Sequence, residues 1–269
     1  MGRLACLPMY DFPERRAAHD ALWQAIAERL RRAGVPDVPD GLTRSEDLPA
    51  LWRDPRLLLG QSCGYPLMTG LAGQVRLVAT PRYHAPGCQG ALHCSAIMVR
   101  AEDAAVDLPG LRGRRCVVNG WDSNTGMNLL RAAIAPFAKH GVFFRSVTVS
   151  FSHRNSLGQV ASGAADVAAI DCVTLEQLRR LEPALVAKTR VLAWTEPTPA
   201  LPLICSAATD DPTLEALRAT LADVAAAPAL STVREALLID GFIALPIDAY
   251  AGVLSLQADA VARGYPLLA

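Results

Sequence analysis

Cys116 to Asn128, CVVNGWDSNTGMN, runs from a short apolar strand straight into a helix start crowded with hydroxyl and amide side chains. Val117 and Val118 end at Asn119-Gly120, a turn signal. Asp122, Ser123, Asn124 and Thr125 then offer capping groups ahead of the helical run Met127, Leu130, Ala133, Ile134, Phe137. The free N–H groups of a first helical turn and the positive end of the helix dipole converge above Ser123 to Gly126. That is a place to hold an anion. A plain N-cap reads the same way, so the rest of the chain decides what this strand-to-helix step is for.

Working outward, apolar runs alternate with helical patterns from end to end. This predicts an α/β protein with two lobes, each a mainly parallel sheet flanked by helices. Strands are expected at 4–8, 57–60, 75–80, 96–100, 116–119, 142–150, 167–170, 191–195 and 201–206. Helices are expected at 13–33, where Ala18, Leu22, Ile26 and Leu30 form one stripe, and at 213–226 and 246–262. Two stretches look like extended crossings: AEDAAVDLPGLRGRR at 101–115, and TEPTPALP at 195–202 with its three prolines. They bracket a second lobe, 101–199, inserted into a first lobe made of 1–100 and 200–269.

Composition narrows the function. With 51% hydrophobic and 19% charged residues the chain buries a large core. Its 26 basic and 26 acidic residues cancel, so neither nucleic acid nor an anionic membrane surface is an expected partner. Seven scattered cysteines without a CxxC pair read as reduced core thiols, and neither a metal site nor a cofactor is expected. The run 57–75 is interrupted by Gly60, Gly64, Pro66, Gly70 and Gly73, so no direct membrane insertion is expected either. The start, MGRLACLPMYDFPERR, lacks the apolar stretch of a secretion signal, which predicts a cytoplasmic protein as written and a periplasmic one if the true N-terminus is longer.

In open α/β sheets ligands bind beyond the carboxyl ends of strands, and four further loops stand there. Tyr10 in PMYD offers a stacking or hydrogen-bonding ring. In SHRNS, His153 and Arg154 offer positive charge to an anion, while Ser152 or Asn155 caps the next helix. In AIDC, Asp171 is either a helix cap or a ligand acceptor, and the sequence leaves both open. GQSCG at 60–64 matches the G-x-S-x-G nucleophile elbow, and a triad of Ser62, Asp122 and His153 can be written. However, a hydrolase histidine belongs near the C-terminus and none follows His153. An enzyme on the same two-lobed scaffold would instead draw on Cys63, Cys94 or His93.

Four motifs occur in order: LPGLRGRRCVVN (108–119), DSNTG (122–126), SHRNSLGQVASG (152–163) and ADVAAID (165–171). Together they resemble the phosphonate-type branch of periplasmic substrate-binding proteins, which bind phosphate, phosphite or alkylphosphonates for ABC import. The Thr195 to Pro202 stretch is similar to that family's return crossing, and Gly64-Tyr65-Pro66 to its first-lobe loop. The resemblance implies a type II periplasmic-binding-protein fold and a non-catalytic role. The ligand would be a small oxyanion-bearing molecule held between the lobes, and the partner an ABC permease. It further implies that Ser123, Asn124, Thr125 and Gly126 cradle the anion, that His153 donates to it, and that Asp171 anchors a ligand amine or orients its neighbours. Tyr10, Tyr65, His93 and Ser95 would line the opposing lobe, and hinges at about Arg100 and Thr195 to Pro199 would let the lobes close. Two residues depart from the family pattern: Asn124 interrupts the usual run of small hydroxyls, and His93 stands where a tyrosine is common. Without a signal peptide, the resemblance also allows a cytoplasmic relative that senses, buffers or delivers its ligand.

Overall fold

The structure is a computed structural model that describes residues 2–269. The chain divides into two compact units. The first comprises residues 2–84, Gln89–Ala91 and Pro199–Ala249, and the second Ala85–Cys88, Leu92–Thr198 and Tyr250–Ala269.

The first unit is built on a five-stranded sheet in the order Leu4–Cys6, Leu57–Gln61, Leu203–Ser206, Val75–Tyr83, Ile239–Ile243. Leu4–Cys6 and Leu57–Gln61 are parallel, while Leu203–Ser206 runs antiparallel to both of its neighbours and Ile239–Ile243 antiparallel to Val75–Tyr83. The strands Leu4–Cys6 and Leu57–Gln61 are buried along their whole length, as continuous apolar runs demand. The helix Arg16–Arg32 buries Leu22, Trp23, Ile26 and Leu30, continuing the stripe expected from spacing. Trp23 is fully buried and donates through Nε1 to the Pro39 carbonyl at 3.3 Å.

In the second unit Arg115–Val118 pairs parallel with Ser146–Val149 and makes a parallel bridge, Cys116 to Val167, to the chain entering Ala168–Asp171. Ser95–Arg100 runs antiparallel between Ala168–Asp171 and Thr189–Trp194. Four strands therefore share one direction and the fifth is reversed. Its register sets Ser95 opposite Asp171, and the site is built on that pairing.

The division differs from the expected one in two places. Ser95–Arg100 is the middle strand of the second sheet, so the first passage between units falls within residues 84–92 instead of after Arg100. The stretch 101–115 stays inside the second unit, where Ala105 and Leu111 are buried and Arg190 donates to the Asp103 and Ala105 carbonyls. Secondly, the C-terminal helix Ala251–Ala262 belongs with the second unit, its Val253 carbonyl accepting from Asn128 Nδ2 at 3.1 Å. Among the described residues no helix is long and apolar enough to cross a membrane.

Trp23→Ala empties the largest side-chain volume of the first unit's main helix and leaves the Pro39 carbonyl without its donor. The expected cost is about 3–5 kcal/mol in the transition assigned to that unit, read by urea unfolding; a change within the error of extrapolation contradicts the packing described.

Candidate functional site

The strand Arg115–Val118 delivers the chain to Asn119, and after a short turn Ser123 caps the next helix by accepting from the Gly126 amide at 2.9 Å. This first turn is a π-helix, Asn124–Asn128, in which the Asn128 amide reaches back to the Ser123 carbonyl at 3.1 Å; the α-helix Leu129–Ile134 follows directly. Such wide turns occur as single insertions in α-helices, frequently at functional sites. Ser123, Asn124, Thr125 and Gly126 are all buried. Gly126 makes room for Asn119: a Cβ there would lie 1.7 Å from Asn119 Oδ1 and 3.2 Å from the His153 ring, so a larger residue has to displace the Asn119 side chain.

Thr125 is held from two sides. Its hydroxyl shares a 3.0 Å hydrogen bond with His153 Nε2, and its carbonyl accepts from Ser95 Oγ at 2.7 Å. The Ser95 amide in turn donates to Thr195 Oγ1 at 2.9 Å. His153 opens the helix His153–Ser162, capped by Ser152, which accepts from the Asn155 amide. Burial holds the His153 imidazole below its ordinary range, the Asp171 charge opposing this only in part, so the ring is neutral at neutral pH.

Asp171 ends its strand with 1% exposure. One oxygen accepts from the Thr174 amide at 2.9 Å, capping the helix Cys172–Leu181; the other lies 3.1 Å from His93 Nδ1. Burial alone would raise this carboxyl. The close approach of His93, with the His153 ring nearby and the Thr174 amide, outweighs it and holds the group below the usual carboxylate range.

The second unit thus brings together His93, Ser95, Ser123, Asn124, Thr125, Gly126, His153 and Asp171. His93 and Ser95, expected on the opposing lobe, stand beside the cradle, because their strand is central to this unit's sheet. Asp171 serves as a cap and as the partner of His93, which makes it an orienting group. Asn124 turns its side chain inward, donating to Thr198 Oγ1 at 2.9 Å and accepting from Asn128 Nδ2 at 3.0 Å, so what it can offer a ligand is backbone. Arg154 pairs with Glu182 at 2.5 Å.

Tyr10 and Tyr65 belong to the first unit. Tyr10 is buried there, its ring edge-on to Tyr83 with centroids 5.3 Å apart, beside a cavity of about 20 Å³ that has room for one water-sized group. It is a core residue where the sequence suggested an exposed loop. Tyr65 is half-buried in the helix Gly64–Thr69. Ser62 of GQSCG is fully buried in the first unit, its amide bound to the Pro202 carbonyl, which is not the exposed hydroxyl of a nucleophile elbow. The Cys94 thiol is raised by its hydrogen bond to Cys172 and by burial, opposite to what a nucleophile requires.

The family described as ABC transporter, phosphonate, periplasmic substrate-binding protein matches residues 57–250, which carry the cradle, His153 and Asp171. The chain belongs to this family. Its role is that of a ligand-binding protein on the two-lobed type II periplasmic-binding-protein fold. Solved structures similar to it include a binding protein component of an ABC phosphonate transporter from Pseudomonas aeruginosa, with TM-score 0.77 at 13% identity over 97% of this chain and 87% of that one. A Xanthomonas citri protein bound to chloride ion gives 0.73 at 16% over 97% and 98%. A Prochlorococcus marinus protein in complex with methylphosphonate gives 0.70 at 13% over 95% and 97%. No match is found among curated proteins.

Five residues packed around this candidate site escaped sequence reading: Asn119, Asn128, Arg131, Thr195 and Thr198. Buried Arg131 donates to Asn128 Oδ1 at 2.6 Å and to the Pro266 carbonyl at 2.9 Å, ending a polar chain that starts at Thr198 and passes through Asn124 and Asn128. Thr195 and Thr198 lay in a stretch that stood out only for its prolines, and Asn119 in one that stood out only as a turn.

The depressed His153 value sets a direction with pH. Once unfolded, this imidazole recovers a value near 6.5 and binds a proton sooner than the folded protein does. Stability is therefore complete above that value and declines as pH falls below it. Lowered Asp171 acts in the same sense further down, through the carboxylate range. The melting temperature of unliganded protein should fall between about pH 7.5 and pH 5.5, and His153→Gln should flatten that fall. An identical slope in the variant would show that His153 is not the titrating group.

Proposed function

We propose that the second unit holds the oxyanion end of a small phosphonate- or phosphate-bearing ligand at Ser123 to Gly126, and that the protein delivers this ligand unchanged to an ABC permease. The observation that carries the reading is the bond between Thr125 Oγ1 and the neutral His153 Nε2 beside the first turn of a helix. The first-turn amides and the dipole favour negative charge, and two side chains that exchange one proton accommodate either a donor or an acceptor oxygen. Buried Arg131, linked to the same turn through Asn128 and Asn124, adds fixed positive charge behind it. Both oxygens of Asp171 are already engaged, one by the Thr174 amide and the other by His93 at 3.1 Å.

The reading is tested by thermal shift at neutral pH against methylphosphonate, phosphate, phosphite, methanesulfonate and small dicarboxylates. A ligand at a hundredfold its dissociation constant adds about 2.7 kcal/mol of stability. A shift with a phosphorus oxyanion that Thr125→Ala abolishes supports the site, and phosphorus NMR should then recover the ligand chemically unchanged. A shift that survives Thr125→Ala places the ligand elsewhere, and no shift with any phosphorus oxyanion overturns the ligand class.

A further inference from the structure

Three cysteines from separate parts of the chain meet on the second unit. Cys88 Sγ lies 3.4 Å from Cys172 Sγ, although the two are 84 positions apart. Cys94 shares a hydrogen bond with Cys172. The segment Ala85–Cys88 is pressed onto this cluster at Gly87, where a Cβ would stand 2.9 Å from Cys94 Sγ, 3.0 Å from Cys172 Cβ and 2.8 Å from the Trp194 ring. With φ at +95°, that position is closed to other side chains on both counts. The residue before Cys88 is thus packed directly against Cys94 and Cys172. None of the seven cysteines is in a disulfide; within the cluster, Cys88 is partly exposed, whereas Cys94 and Cys172 are buried.

We propose that Cys88 and Cys172 are a disulfide-forming pair, oxidised by thiol–disulfide exchange with a low-molecular-weight or protein disulfide, and that the bond fastens Ala85–Cys88 to the start of the helix Cys172–Leu181. Cys88, the accessible thiol, loses its proton to solvent and attacks one sulfur of the oxidant RSSR, forming a mixed disulfide and releasing one RS⁻, which takes up a proton. Cys172 then gives up its proton and attacks Cys88 Sγ. The second RS⁻ leaves and is protonated, so two cysteine thiols are oxidised by two electrons and one RSSR is reduced to two RSH. Hydrogen bonding to Cys88 and burial raise the Cys172 thiol, which keeps it protonated until the mixed disulfide forms beside it. The bond sits next to the site, since Cys172 directly follows Asp171 and its amide donates to the Cys94 carbonyl one residue from His93.

The test is oxidation of the folded wild-type protein with oxidised glutathione, followed by alkylation, denaturation and non-reducing peptide mapping. Cys88 and Cys94 fall on one tryptic peptide, between Arg82 and Arg100, so Cys94→Ser assigns the bond. A Cys88–Cys172 cross-link, with a mass about 2 Da below the dithiol and reversed by dithiothreitol, supports the proposal. So does a persistent glutathione adduct on Cys88 in Cys172→Ser. A persistent adduct on Cys88 in the wild type, a cross-link between Cys94 and Cys172, or seven unmodified thiols would each overturn it.

Discussion

A carboxylate stripped of water at the end of a buried strand has to be compensated on every side, and the second unit is organised around that demand at Asp171. One oxygen is consumed by the helix it caps, and the other by His93. Because the antiparallel register places Ser95 opposite Asp171, meeting the demand also fixes Ser95, and Ser95 fixes the Thr125 carbonyl. Thr125 then holds His153. The cradle at Ser123 to Gly126 thus inherits its position from a charge whose own role is to be neutralised.

The reversed strand Ser95–Arg100 makes this economy possible. It enters the sheet against the direction of its neighbours, so its first residues arrive at the end where Ala168–Asp171 finishes and the next helix begins. Residues far apart in sequence, Ser95, Thr125, His153, Asp171 and Thr195, are joined there through short hydrogen bonds and backbone pairing. The asparagines behind them carry the order further: Asn124, Asn128 and Arg131 tie the first turn to Thr198 on one side and to the Pro266 carbonyl on the other. Arginine suits the last position because its fork reaches two acceptors at once.

Much of this was legible in the chain, for physical reasons that can be named. Strands announced themselves as apolar runs ending in turn residues, and Ser123, Ser152 and Asp171 stood among the capping candidates because capping is a local event; which candidate caps, and that Asp171 does, only the structure decides. What depended on partners far away was not legible. The strand Ile239–Ile243 is broken up by Asp240 and Gly241 and preceded by Leu238 at φ 59°, so it shows neither alternation nor a clean apolar run. Tyr10 is the loop residue its neighbours suggest, but nothing near it in sequence announced that Tyr83 would bury it. His93 and Ser95 were assigned to the wrong lobe because a passage between units leaves no periodic signature, whereas the charged stretch 101–115 imitates one.

The π-helical turn has a consequence of another kind. An α-helix advances by about 100° per residue, and the wide turn at Asn124–Asn128 holds one residue more than α pitch allows. Deleting a single codon in this stretch would let the helix resume regular winding from Ser123 onward. The cradle would swing about a quarter turn away from His153 while the packing of Leu129, Leu130 and Ile134 stayed in place. How Thr125 and Gly126 stand against His153 therefore depends on the length of this segment as much as on its letters.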